Sequence, residues 1–289
     1  MGGDRAPAAP VAGAVQALRE FSDVEIALVG FPELLETELA GHGVSDAERA
    51  RLTIVAADHV AGMSDDPVRA VRSNEGNTAR ICAELLREGD ARGVVNMGST
   101  GAAVAAAQLF CGRLAGVRRP GIAVPFPRAG GTTLVVDGGA NPDARAEDLD
   151  PFAIMASLYA RSALGVDTPR IGVLSIGEEE HKGNQLVHDT WELFRARGLE
   201  PFVGNVEPRE FFDDKADVVV TDGFSGNVAL KAAEGMAEFL LRSLPEVLPE
   251  GIDVGDVARR LAARVDYAEY GGAPLLGIRG PYLIGHGRS

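Results

Sequence analysis

Lysine is scarce in this chain: among 28 basic residues, only Lys182, Lys215 and Lys231 are lysines. Acidic residues outnumber basic ones and leave a net charge of −14, which excludes a general nucleic-acid or anionic-membrane surface. Any anion site must therefore be a local pocket working against the overall field. Cysteine is confined to Cys82 and Cys111, which lie in helical patterns without metal spacing or a disulfide framework, as expected of reduced, buried thiols. No apolar run approaches the ~20 residues that span a bilayer, and no signal peptide opens the sequence, so a cytoplasmic location is expected. Several motifs are missing as well. The phosphate loop G-x-x-x-x-G-K-[ST], a G-x-G-x-x-G after the first strand and the nucleophile elbow G-x-S-x-G are absent. The histidines form no metal pattern, and Glu178, Glu179 and Glu180 read as complement to a helix dipole. Neither a metal nor another cofactor is expected.

What is present alternates strand and helix almost throughout, implying an α/β fold of three layers with a mainly parallel sheet covered on both faces. Strands are expected at Val24–Val29, Leu52–Ala56, Gly93–Asn96, Gly121–Val124, Thr132–Val136, Ile171–Ile176, Phe202–Val203, Val218–Thr221 and Leu283–Ile284. Helices are expected at Ala8–Phe21, Thr100–Leu114, Glu147–Leu164, Gln185–Arg197, Asn227–Leu244 and Val254–Tyr267. The length suits one α/β unit over 1–289, or two intimately joined lobes, with Pro245–Gly251 as a hinge or hairpin tip. A parallel sheet would deliver the opening loop Met1-Gly2-Gly3-Asp4 from a strand, and none precedes it here.

Five segments share one layout, an apolar strand end running into Gly, Asn, Asp or Ser. They are Asn96-Met97-Gly98-Ser99-Thr100-Gly101, Asp137-Gly138-Gly139-Ala140-Asn141, Gly177-Glu178-Glu179-Glu180-His181-Lys182-Gly183-Asn184, Gly204-Asn205-Val206-Glu207-Pro208-Arg209, and Asp222-Gly223-Phe224-Ser225-Gly226-Asn227 with Lys231 one turn on. In a parallel sheet such loops leave from one edge, where open α/β sheets bind ligands. Glycines allow close backbone approach, and asparagines tolerate tight turns while offering amide donors. Lys182 and Asn184 stand at a helix start, where free N–H groups and the dipole attract an oxyanion. A compact ammonium in an arginine-rich chain fits that task. With no enzyme nucleophile in view, the set suits an oxyanion substrate that itself attacks, catalysed by positioning and electrostatics.

These loops resemble the PlsX family of phosphate acyltransferases, together with Tyr270-Gly271-Gly272-Ala273-Pro274-Leu275-Leu276-Gly277 and the closing Ile284-Gly285-His286-Gly287. The resemblance covers nearly the whole chain. It implies an isocitrate/isopropylmalate dehydrogenase-like fold related to phosphotransacetylase, and a homodimer. It also implies transfer of an acyl group from acyl carrier protein to inorganic phosphate for phospholipid synthesis, and peripheral contact with the inner membrane face. The region 225–270 would supply the helical dimerisation and tip segment. Lys182, Asn184, Asn227 and His286 would be catalytic, while Gly98, Ser99, Thr100, Asn141, Asn205, Arg209, Asp222, Gly226 and Lys231 would bind phosphate or substrate. Departures are visible. Ser99 and Gly138 replace the family's Asn and Leu, and the family's first strand and closing helix would lie outside 1–289. Two other readings stay open, a coenzyme A thioester as donor or a non-catalytic relative that binds the carrier.

Overall fold

The computed structural model describes residues 2–3, 5–62, 64–199, 201–249, 251–265 and 272–285. The chain divides into two compact units, residues 1–114 with 278–289, and residues 115–277.

The first unit contains α1 (Ala8–Glu20), β1 (Ile26–Gly30), α2 (Pro32–Gly41), α3 (Asp46–Ala50), β2 (Leu52–Ala56), α4 (Pro67–Arg72), α5 (Thr78–Glu88), β3 (Val94–Asn96) and α6 (Thr100–Ala106). β1 pairs with β2 in parallel, and β3 pairs in parallel with the late strand β10 (Tyr282–Ile284). Val11, Val15 and Leu18 of α1 bury against Leu35, Leu39 and Leu52, a spacing of i, i+4 and i+7 that marks one helix face. The helix expected over Thr100–Leu114 is shorter. After Ala106 it widens into a π-helical turn, Ala107–Cys111, that ends at Gly112 with φ +80°.

The second unit is a sheet in the order β9-β4-β5-β8-β6-β7. Its strands are β4 (Gly121–Arg128), β5 (Gly131–Val136), β6 (Ile171–Leu174), β7 (Phe202–Val206), β8 (Val218–Val220) and β9 (Ala273–Leu276). β5, β8, β6 and β7 run parallel, while β4 is antiparallel to β5 and β9. Mainly parallel pairing is thus observed, but β4 and β5 form a hairpin turned by Ala129 and Gly130, the latter at φ +84°. β4 also continues through Pro125 and Pro127, beyond the end expected at Val124.

Helices α7 (Ala146–Leu164), α8 (Gln185–Arg197), α9 (Gly223–Val247) and α10 (Val254–Val265) complete this unit. α8 keeps the boundaries read from its sequence, with Asn184 as N-cap and Gly198 closing it at φ +66°. α9 starts four residues earlier than expected and runs through Pro245, so the hairpin tip begins at Leu248. Pro245 has no N–H to give the Leu241 carbonyl, so the helix loses one backbone bond near its end. Phe152 from α7, Phe194 from α8, and Val136, Val173 and Val218 from the strands form the core. Fully burying a side chain the size of Phe152 contributes roughly 2–3 kcal/mol. Among the described residues no helix is long and apolar enough to cross a membrane.

Candidate active site

Because β5, β8, β6 and β7 are parallel, four of the five glycine- and asparagine-rich loops leave the second unit from a single edge. Strand neighbours couple these loops in two pairs.

The first pair follows β5 and β8. Asp137 is fully buried, and its carboxylate accepts from the N–H groups of Ile122, Gly139, Ala140 and Asn141 at 2.7–3.0 Å and from the Asn141 amide at 2.8 Å. Burial pushes this carboxyl above its usual pKa, and the surrounding donors pull the other way. Asn141 also donates to the Pro120 carbonyl at 2.7 Å, so its side chain is spent within the fold. The start of α9 docks on this loop. Gly223 donates to the Asn141 carbonyl at 2.8 Å, and a Cβ on Gly226 would lie 2.0 Å from the Asp137 carbonyl oxygen. Asp222 caps α9, accepting from the N–H and hydroxyl of Ser225 at 2.8 Å each. Asn227, exposed, donates to the Gly138 carbonyl at 3.2 Å. One turn on, exposed Lys231 pairs with Glu234 at 2.8 Å.

The second pair follows β6 and β7. The lysine loop makes a turn closed by the Lys182 N–H on the Glu179 carbonyl at 2.9 Å. It then passes Gly183, at φ +114°, where a Cβ would sit 2.7 Å from that of Val187. A left-handed backbone with little room for a side chain favours glycine there. The Asn184 side-chain oxygen accepts from the Val187 N–H at 3.1 Å; among the described residues its amide NH₂ and the first N–H groups of α8 have no partner. Lys182 is exposed, and its ammonium has no acidic partner among the described residues. The other two lysines are paired, Lys215 with Glu210 at 2.7 Å and Lys231 with Glu234. Burial pushes the Glu210 carboxyl up, but Lys215 and the Glu207 N–H outweigh it and hold it below its usual pKa.

Asn205 turns inward. It is 1% exposed, accepts from the Trp191 indole N–H at 2.7 Å and donates to the carbonyls of Glu179 at 2.8 Å and Lys182 at 3.3 Å. Its amide is engaged at both ends inside the protein. Arg209 points into solvent and pairs with Glu207 at 2.5 Å and Glu178 at 3.5 Å.

The fifth loop belongs to the first unit. There Ser99 caps α6 by accepting from the Ala102 N–H at 3.4 Å, Thr100 begins that helix, and Gly98 donates to the Asn96 side chain at 2.8 Å. His286 lies outside the described residues. No cluster of three or more metal-binding side chains occurs among the described residues.

The edge of the second unit therefore presents one free ammonium, the open amide of Asn184, the start of α8 and the exposed Asn227, on loops fixed from below. Such a set can hold a small oxyanion and steady negative charge developing on a neighbouring carbonyl oxygen. Trp191 and Asp137, which brace these loops, were not among the site residues expected from sequence. Trp191 is the only tryptophan in the chain, and that rarity was the one signal available.

The solved structure of a phosphotransacetylase from Streptococcus pyogenes matches with a TM-score of 0.62 at 18% identity, over 96% of this chain and 84% of the other. A branched-chain phosphotransacylase from Enterococcus faecalis matches with a TM-score of 0.56 at 14% identity, over 100% and 91%. At such identities the likeness establishes the fold. Curated relatives are much nearer. The phosphate acyltransferase of Geotalea daltonii is 44% identical over all of this chain and 84% of its own length, and that of Halothermothrix orenii is 39% identical over all of this chain and 88% of its own. Residues 1–289 match the family described as fatty acid synthesis protein. Matched from end to end, the chain belongs to the PlsX family of phosphate acyltransferases and is an enzyme of the acyltransferase class.

Proposed function

We propose that the enzyme moves an acyl group from the thioester of an acyl carrier protein to inorganic phosphate, giving acyl phosphate and free carrier for phospholipid synthesis. The observation that carries this reading is Lys182, the lysine with no acidic partner among the described residues, at the start of α8. Its ammonium, the Asn184 amide and the first N–H groups of α8 hold phosphate. A phosphate oxygen attacks the thioester carbonyl, a C–O bond forms, and the oxyanion of the tetrahedral intermediate is steadied by Asn227 and the lysine. The C–S bond then breaks and the carrier thiolate leaves with the bonding pair. His286 is assigned proton handling by family resemblance, and Gly98, Ser99 and Thr100 a substrate contact. Catalysis of this kind requires no covalent enzyme intermediate.

Exposed apolar side chains on α9, Phe239, Leu240 and Val247, support a homodimer contact, with peripheral membrane contact as the alternative occupant of that surface. The decisive experiment incubates the purified enzyme with a long-chain acyl carrier protein thioester, with and without phosphate. Free carrier thiol and hydroxamate-trapped acyl phosphate are both expected, and both should vanish when phosphate is omitted. Turnover of a coenzyme A thioester in preference to the carrier thioester would overturn the assignment of the donor.

A further inference from the structure

We infer that Trp191 is a positioning residue for phosphate binding, setting the Lys182 loop through Asn205, and that its emission reports occupation of that site. The inference rests on the reading that Lys182 binds phosphate.

It begins with a β-bulge. β6 and β7 pair Ile171 with Phe202 and then Gly172 with Gly204, so Val203 is the extra residue. Bulges re-aim the side chains that follow, and here Asn205 follows and is buried beneath the lysine loop. Gly204 sits at φ +88°, and a Cβ there would come within 3.0 Å of the Trp191 ring, so the glycine seats the indole.

An indole N–H can only donate, whereas an asparagine amide can be rotated to present either its oxygen or its NH₂. The Trp191 bond at 2.7 Å holds the Asn205 oxygen toward α8. Both N–H groups of the amide must then face the loop, where they meet the carbonyls of Glu179 and Lys182. With the amide reversed, its oxygen would face those two carbonyl oxygens, and the loop would be repelled. One indole hydrogen thus fixes which way the loop is held.

A second tie runs from the same ring. The Arg195 guanidinium lies 4.7 Å from the Trp191 ring centre and pairs with Glu180 of the loop at 2.6 Å. Phe202 packs edge-on against the indole at 4.7 Å. Residues 179, 180 and 182 are therefore all tied, directly or through one side chain, to Trp191. A rearrangement of Lys182 around phosphate must alter the surroundings of this half-buried indole.

Three measurements test this. In the unaltered enzyme, titration with inorganic phosphate should change the tryptophan emission saturably, with a midpoint at the KM for phosphate. Only one tryptophan exists, so the signal has one source. Trp191→Phe should raise the KM for phosphate roughly tenfold while kcat stays within about twofold, the pattern of lost binding rather than lost chemistry. Asn205→Asp keeps the acceptor for the indole but removes both donors to the loop, and should reproduce that split. Emission that ignores phosphate at concentrations saturating turnover, or a folded Trp191→Phe enzyme with unchanged KM, would overturn the proposal. Lys182→Ala separates the two layers of the argument. If it turns over normally, the phosphate site is elsewhere; if it is impaired while Trp191→Phe is normal, only the role of Trp191 falls.

Discussion

The loops after β5 and β8 are locked together backbone to backbone, whereas the loop after β6 hangs from side chains. In the first pair a buried carboxylate gathers four N–H groups, and Gly223 and Gly226 let α9 touch the neighbouring loop. In the second, Asn205, Trp191 and Arg195 carry the connection, and the cation at the tip is free. The difference teaches that one half of this edge is shaped on folding while the other keeps room to adjust. Backbone-locked loops resist change because any added atom meets main chain. Side-chain-hung loops can shift with a rotamer.

The sharpest way to break the locked half is Gly226→Ala. Its new methyl has nowhere to go, so a loss of about 3 kcal/mol is expected, along with nearly all activity, read by denaturant unfolding and by turnover. Lys182→Ala should do the reverse in the hung half. Phosphate-dependent turnover falls roughly 100-fold, while the thermal midpoint is unmoved because the exposed ammonium has no acidic partner among the described residues. Normal activity in that variant would dissolve the contrast.

Acid tests the opposite end of the same strands. Just before β8, Asp217 accepts from the backbone and side chain of Arg170 at 2.8 and 2.9 Å and from Arg128 at 2.5 Å. Burial pushes its carboxyl up, but these bonds outweigh it and hold the pKa down to about 2, from an ordinary 3.8. A lowered folded-state pKa stabilises the fold above the unfolded value, so about 2 kcal/mol should be lost as the pH falls from about 4 through 2. Asp217→Asn should flatten that part of the stability curve. The smallest effect is expected of Gly183→Ala. The left-handed backbone and the Val187 contact should cost about 1–2 kcal/mol, relieved in part by loop movement, with a raised KM for phosphate.

Much of this was legible in the sequence where local chemistry governs. The apolar run Ile171–Ile176 breaks at a glycine tract and a helical pattern restarts at Gln185; strand, loop and helix follow, the strand ending early at Leu174 and the helix boundaries intact. The common edge of the four loops follows from strand–helix alternation alone. Other features depend on partners distant in sequence. β4 runs antiparallel through two prolines because its neighbours, β5 and β9, accept it. β9, from Ala273 to Leu276, shows in sequence only as a motif, since four residues carry little periodicity. The pattern also could not separate residues that face solvent from those that face the fold. Asn141, Asn205 and Asp222 look like Asn184 and Asn227 in sequence, yet the first three are buried and spent on neighbouring groups. Gly204 reads as a loop residue in sequence, yet it lies within β7 and seats an indole.

α9 has 25 residues, and at ~1.5 Å per residue it is a rod about 37 Å long. It is clamped at one end between the Asp137 loop and its own cap, and carries Phe239, Leu240 and Val247 toward the other. Such a rod is a lever with its fulcrum at the Asp137 loop. A displacement of about 3 Å at the far tip turns it by about 5° and moves Asn227, about 6 Å from the pivot, by about 0.5 Å. Whatever grips the tip is therefore geared down about sixfold before it reaches the asparagine.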